Sequence, residues 1–116
     1  FVPHKDTKYK NEKHGDVSLV LMLLSIIRLL KPNILLPATT ALGTVDPLGR
    51  EKGILHGANV VMPNLSPVKH RKDYSLYDNK ICTGDEAAQC IGCLADRMKK
   101  IGCEIVTDRG DYKADI

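Results

Sequence analysis

Two short apolar runs, each followed by a polar turn and then by a residue-plus-proline helix start, constrain this chain more than any other feature. Ile34-Leu35-Leu36-Pro37-Ala38 is apolar throughout and reads as a buried parallel strand. Thr39-Thr40-Ala41-Leu42-Gly43-Thr44 follows as a polar turn. Asp46-Pro47 then opens a helix, with Asp as cap and Pro at the first helical position, and Gly57 closes it. Asn59-Val60-Val61-Met62 is the second strand, Asn64 starts the second polar turn, and Ser66-Pro67 opens a helix predicted to run to about Tyr77. Strand, turn, helix, strand, turn, helix implies right-handed βαβ units and a parallel sheet, so the fold class is α/β. Strands this short and apolar on both faces suit a β/α barrel or a doubly wound sheet. Two units cannot close a barrel. The missing strands are expected from an N-terminal half or from a partner copy.

Upstream, residues 1–16 are polar and basic and read as a solvated loop. Val17 to Leu30 is broken only by Ser18, Ser25 and Arg28. As a helix it is about 21 Å long, too short to span a bilayer. Asp16 caps its start and Pro32 ends it by Lys31. Its apolar character demands packing on most sides, which places it in the wall of a larger fold. Phe1 is no initiator, and the 116 residues read as the C-terminal part of something longer. From Lys80 the character changes: a long amphipathic helix leads to Gly102, and Cys103-Glu104-Ile105-Val106-Thr107 is a possible last strand.

Composition narrows the function classes. Seventeen Lys plus Arg against 14 Asp plus Glu leave a net charge of +3, too mild to make nucleic acid or a membrane the main partner. There is no Trp and one Phe, so bases have little to stack on. An apolar content of 43% excludes a disordered tail. The four Cys lack the spacing of a disulfide framework and read as reduced, in a cytoplasmic protein.

Chemistry is expected at the C-terminal ends of the strands, where parallel folds bind ligands. Thr39, Thr40 and Thr44 follow the first strand, and Met62, Pro63 and Asn64 the second. With two capped helix starts beside them, they suit an anionic or polar small ligand; the alternative is that the hydroxyls only cap turns. His56 and His70 read as surface residues. Tyr74 and Tyr77 either fold over the rim or simply pack.

Cys82, Cys90 and Cys93 have the spacing C-x7-C-x2-C. Three thiolates so gathered suit an iron–sulfur cluster or, with a fourth ligand, zinc; the Cys90–Cys93 pair alone suits redox work, and a metal-free site is the remaining alternative. Thr83-x-x-Glu86 resembles a capping box, and a helix from Gly84 would carry Cys90 about 10 Å along its axis from Cys82. Bonds of about 2.3 Å to one ion would then require residues 83–89 to loop back.

The motifs Phe1-Val2-Pro3-His4-x-Asp6-Thr7, Leu36-Pro37-Ala38-Thr39-Thr40-Ala41-Leu42-Gly43-Thr44, Gly49-Arg50-Glu51 and Gly57-Ala58-Asn59-Val60-Val61-Met62-Pro63-Asn64 resemble a known family. With Tyr74-x-Leu76-Tyr77, Lys80-Ile81-Cys82 and Cys90-x-x-Cys93, they are similar to the C-terminal third of the HydE-type radical S-adenosylmethionine maturases of FeFe hydrogenase, in the biotin-synthase-like group. The resemblance implies the last units of a (β/α)8 barrel over residues 1–78 and a cysteine-bearing extension over 79–116. It implies that Thr39, Thr40, Ala41, Thr44, Met62, Tyr74 and Tyr77 line the substrate cavity, and that Cys82, Cys90 and Cys93 hold an auxiliary 2Fe–2S or 4Fe–4S cluster. Cys103 is outside that pattern and reads as an inert thiol rather than a fourth ligand.

The radical-generating 4Fe–4S cluster, with its S-adenosylmethionine, belongs to a CxxxCxxC loop that these residues do not contain, so the chain alone is expected to be inactive. The implied partners are the missing N-terminal half of the barrel, an iron–carbonyl–cyanide or other small-molecule substrate, and other hydrogenase maturation proteins. Methylornithine synthase or a biotin-synthase-like enzyme is the enzymatic alternative. A non-catalytic zinc or iron–sulfur module is the other.

Overall fold

In the computed structural model, residues 2–74 and 87–112 are described. Helix α1 spans Val17–Leu30 as the sequence predicts: the Asp16 carboxylate accepts from Ser18 N at 2.8 Å, and the Lys31 N–H closes the last turn on Ile27 O. Pro32 follows, and the chain turns into the first apolar run.

That run and the second lie parallel, joined by a single bridge between Pro37 and Val60. Ala38 N donates to Val60 O at 2.9 Å, and Leu36 O accepts from both Asn59 N and Val60 N. The Asn59 side chain adds a bond from Leu36 N to Oδ1 at 2.8 Å. Orientation and pairing partner are as expected, but neither run is a regular strand. A two-strand pair joined by one bridge is marginal without further strands or a packed face on each side. The segment from Cys103 to Thr107, a candidate last strand, is likewise irregular.

Three further corrections concern helices. Thr39–Thr44 is no polar turn. Thr39 caps a short helix α2, Thr40–Val45, by accepting from Leu42 N at 3.2 Å, and Leu42 and Gly43 are buried in it. Asp46 does not start the following helix. Its carboxylate accepts from Leu48 N at 2.9 Å and pairs with Lys52 at 2.5 Å, and α3 begins later, as Gly49–Leu55. Close approach sets that start: a Cβ on Gly49 would lie 2.4 Å from Leu42 O. Gly57, at φ +105°, ends α3 as predicted. After Ser66-Pro67 the chain forms a 3-10 helix, Val68–Tyr74, in place of the expected α-helix, whose predicted end at Tyr77 lies outside the described residues.

The core is a layer of Leu21 and Leu24 from α1, Leu36, Ala38 and Ala58 from the paired runs, and Leu42 from α2. Leu21 and Leu24 are the buried residues of α1. Leu19, Leu23, Ile26 and Leu30 recur at spacings of four and three on the opposite side and are exposed. Helix α4, Ala87–Lys100, buries Cys90, Leu94 and Met98. Its end is a Schellman motif: Gly102, at φ +77°, donates to Lys99 O, and Cys103 N donates to Met98 O.

Candidate functional site

The rim is built where the paired runs end. Thr39 and Thr40 are half-buried at the mouth of α2, Ala41 beside them, and Thr44 one turn on. Thr44 Oγ1 donates to Thr40 O at 2.9 Å, and Thr39 Oγ1 takes the Leu42 N–H. Thr39 thus caps α2 and, because its oxygen only accepts, still carries a proton to donate, whereas Thr44 has committed its proton to the carbonyl one turn back. The expected pull of helix N-termini is weaker than the sequence implied. α2 and α3 have six and seven residues, and the Thr39 side chain already satisfies one of α2's leading N–H groups. Met62 and Tyr74 are more than half exposed. Tyr77 and Cys82 lie outside the described residues.

Beyond Met62, the loop Pro63–Ser66 turns back toward α4. Asn64 Oδ1 accepts from Ser66 N at 3.1 Å, an Asx turn. Arg71 crosses the loop: Nε donates to Ser66 O at 2.8 Å and Nη2 to Asn64 O at 3.1 Å. Arg71 is only 2% exposed, although its run Lys69-His70-Arg71-Lys72 reads as a solvated face. The Asn64 N–H points at Cys90 Sγ, 3.4 Å away.

Cys90 is 3% exposed, whereas Cys93, three residues along α4, is exposed. A buried thiol receiving an N–H, with a second thiol one turn away, fits thiolate ligation of a soft metal. Among the described residues no three metal-ligating side chains converge; the third cysteine of the predicted set is Cys82. Cys103 is half-buried and its Sγ contacts Ile101 O at 3.9 Å.

Helix α4 is held to α3 by a charged fork. Arg97 donates to both carboxylate oxygens of Glu51, through Nε to Oε1 and through Nη2 to Oε2 at 2.7 Å, and also to Pro47 O. Burial works to raise the Glu51 carboxyl, but the Arg97 hydrogen bonds outweigh it and hold the group below its ordinary value. Asp46 is lowered too, chiefly by its hydrogen bond from Lys52.

The histidines are placed as predicted. His56 is exposed with Nδ1 2.7 Å from Lys52 O, and exposed His70 lies 3.5 Å from Asp73. A cleft of about 1060 Å³ opens elsewhere, lined by Pro32, Leu35, Ile54, Val60 and Met98 among others, and it includes none of the predicted rim residues.

Sequence reasoning missed Arg71, Glu51 as a docking residue, and Arg97. Gly49-Arg50-Glu51 stood out as a motif. Its physical content is a glycine pressed on Leu42 O, followed two residues on by the carboxylate that receives α4.

No family model matches this chain. It is 42% identical over 113 residues to the FeFe hydrogenase maturase subunit HydE of Thermotoga maritima. The alignment covers 97% of this chain and 32% of the relative, so the chain spans about a third of that protein's length.

Proposed function

This chain is homologous to the maturase subunit HydE along 97% of its own length, and on that premise we propose that it is the C-terminal portion of a radical S-adenosylmethionine enzyme that assembles the FeFe hydrogenase active-site cluster. Residues 1–78 supply the last β/α units of a (β/α)8 barrel, and residues 79–116 a C-terminal extension. The supporting observation is the identity across nearly the whole chain, strengthened by the parallel pairing of the two apolar runs. The remaining strands come from the other two-thirds of the protein, as do the CxxxCxxC loop and S-adenosylmethionine site. This portion alone is inactive, and the enzyme works in the cytoplasm, where thiols stay reduced.

Within that enzyme, Thr39, Thr40, Ala41, Thr44, Met62, Tyr74 and Tyr77 line the cavity. The Thr39 hydroxyl, whose oxygen accepts from Leu42 N, keeps its proton to donate to an anionic iron–carbonyl–cyanide substrate. Thr44 Oγ1 offers that substrate only lone pairs while it donates to Thr40 O, and Met62 and the tyrosines exclude water from the substrate. Cys82, Cys90 and Cys93 hold an auxiliary iron–sulfur cluster, which supplies thiolate-bound iron beside the cavity but not the radical.

Two measurements test this. Anaerobic reconstitution with ferrous iron and sulfide is expected to give broad visible absorption that is lost in Cys90→Ser; a colourless, zinc-only protein would refute the cluster. The upstream coding sequence is expected to contain CxxxCxxC, and an in-frame stop there would remove the enzymatic reading.

A further inference from the structure

We propose that Arg71 is a positioning residue for the sulfur of Cys90: by clamping the loop Pro63–Ser66, it keeps the Asn64 N–H aimed at Sγ. The proposal deepens the functional reading above, because that sulfur is there a cluster ligand.

Its neighbours in sequence, Lys69, His70 and Lys72, are exposed, whereas Arg71 is 2% exposed. Burying a guanidinium is costly unless its donors are met, so a buried Arg marks a place where the backbone is being held. Two of its nitrogens span the loop, from Nε to Ser66 O at 2.8 Å and from Nη2 to Asn64 O at 3.1 Å. The Asn64 side chain closes the same loop from within, through Oδ1 to Ser66 N. With the carbonyls on either side of Leu65 held, the loop is fixed in place against α4, and the Asn64 N–H, carried by the preceding Pro63–Asn64 peptide, meets the sulfur of Cys90, 26 residues away, at 3.4 Å.

Two consequences follow. The loop lies against the sulfur of Cys90, a residue that is 3% exposed, so its order controls access to that thiol. A hydrogen bond to a ligating sulfur withdraws electron density and raises the potential of the group it holds. The same loop begins immediately after Met62, so one short segment joins the substrate rim to the cysteine site.

The test uses the full chain with Arg71→Lys, which keeps the charge but loses the fork, and Asn64→Pro, which deletes the donor itself. In metal-free protein, Cys90 alkylation by iodoacetamide is expected to rise in both variants, in Arg71→Lys by about tenfold or more, the scale of one lost charge-assisted bond. Cys93, already exposed, should be unchanged. After reconstitution with ferrous iron and sulfide, both variants are expected to bind iron at the wild-type stoichiometry, with the midpoint potential displaced negative. Unchanged Cys90 alkylation in both variants overturns the proposal, as does an unchanged midpoint in a loaded Asn64→Pro protein. If Cys90→Ser binds as much iron as wild type, the ligand assignment falls instead, and the alkylation rates still decide the role of Arg71.

Discussion

Removing Arg97 tests how the cysteine-bearing helix is kept against the rest of the chain. The Glu51 side chain is 9% exposed and that of Arg97 is 23% exposed. Arg97→Ala therefore strands a mostly buried carboxylate rather than deleting a surface pair. Breaking a fully buried pair costs about 3–5 kcal/mol, and partial exposure of Arg97 lowers this to about 2–4 kcal/mol. Because the pair joins α3 to α4, the loss should appear as local opening of α4. Hydrogen exchange at α4 amides, between Cys90 and Lys100, is expected to accelerate roughly 30- to 700-fold, since each 1.4 kcal/mol is about tenfold. The double variant Glu51→Leu/Arg97→Met should open less readily than Arg97→Ala, because no charge is stranded and an apolar pair fills the volume. α4 exchange unchanged in Arg97→Ala, or faster in the double variant than in the single, would refute the docking role.

Three other outcomes follow from the same structure. The folded-state Glu51 carboxyl is lowered from 4.5, so its contribution to stability is fully present above about that pH and is lost as pH falls through the depressed folded value; α4 exchange, corrected for intrinsic rates, should accelerate on acidification in wild type and not in Glu51→Leu. Gly57→Ala places a Cβ at φ +105° and 2.7 Å from Arg28 Cβ, and should lower the urea midpoint by about 2 kcal/mol of stability or more, whereas Gly92→Ala, with open space at its Cβ, should raise it by about 0.5–1 kcal/mol. Light scattering of the 116-residue chain should show association or aggregation, reduced by Leu23→Lys and Ile26→Glu on the outer face of α1; a dilute monomer with concentration-independent melting would contradict this.

Helix α1 was legible to the residue because its limits are local: a carboxylate reaching two residues forward and a proline two residues past the end. The start of α3 was not, although Asp46-Pro47 has the form of a cap. Asp46 instead serves Leu48 N and Lys52, and the contact of Gly49 with Leu42 O, which decides the geometry, joins residues that share no pattern. Thr39–Thr44 misled for a related reason. Its residues are polar enough for a turn, and only the burial of Leu42 and Gly43 against the core makes a helix of them. Within the candidate site, the spacing of Cys90 and Cys93 is a local signal and was read. The N–H that Cys90 receives is a contact across 26 residues, and the Arg71 that orients it looks like any cation in a charged run.

The outer surface of α1 is apolar on the side away from the core. Leu21 and Leu24 face the core, so a helix in the wall of a barrel would turn Leu19, Leu23, Ile26 and Leu30 outward and Val20, Ile27, Met22 and Leu29 to its flanks. In the proposed barrel, neighbouring helices would account for the flanks. They do not account for the outward stripe, which in a barrel faces away from the strands. At about 25 cal/mol per Å² of apolar surface, leaving such a stripe in water forgoes several kcal/mol, comparable with the whole stability of a small domain. The paired runs add two sheet edges on either side of a single bridge. Helix and edges make different demands: the edges of a parallel pair call for strands in register, while the stripe calls for an apolar surface on the side of α1 away from the core.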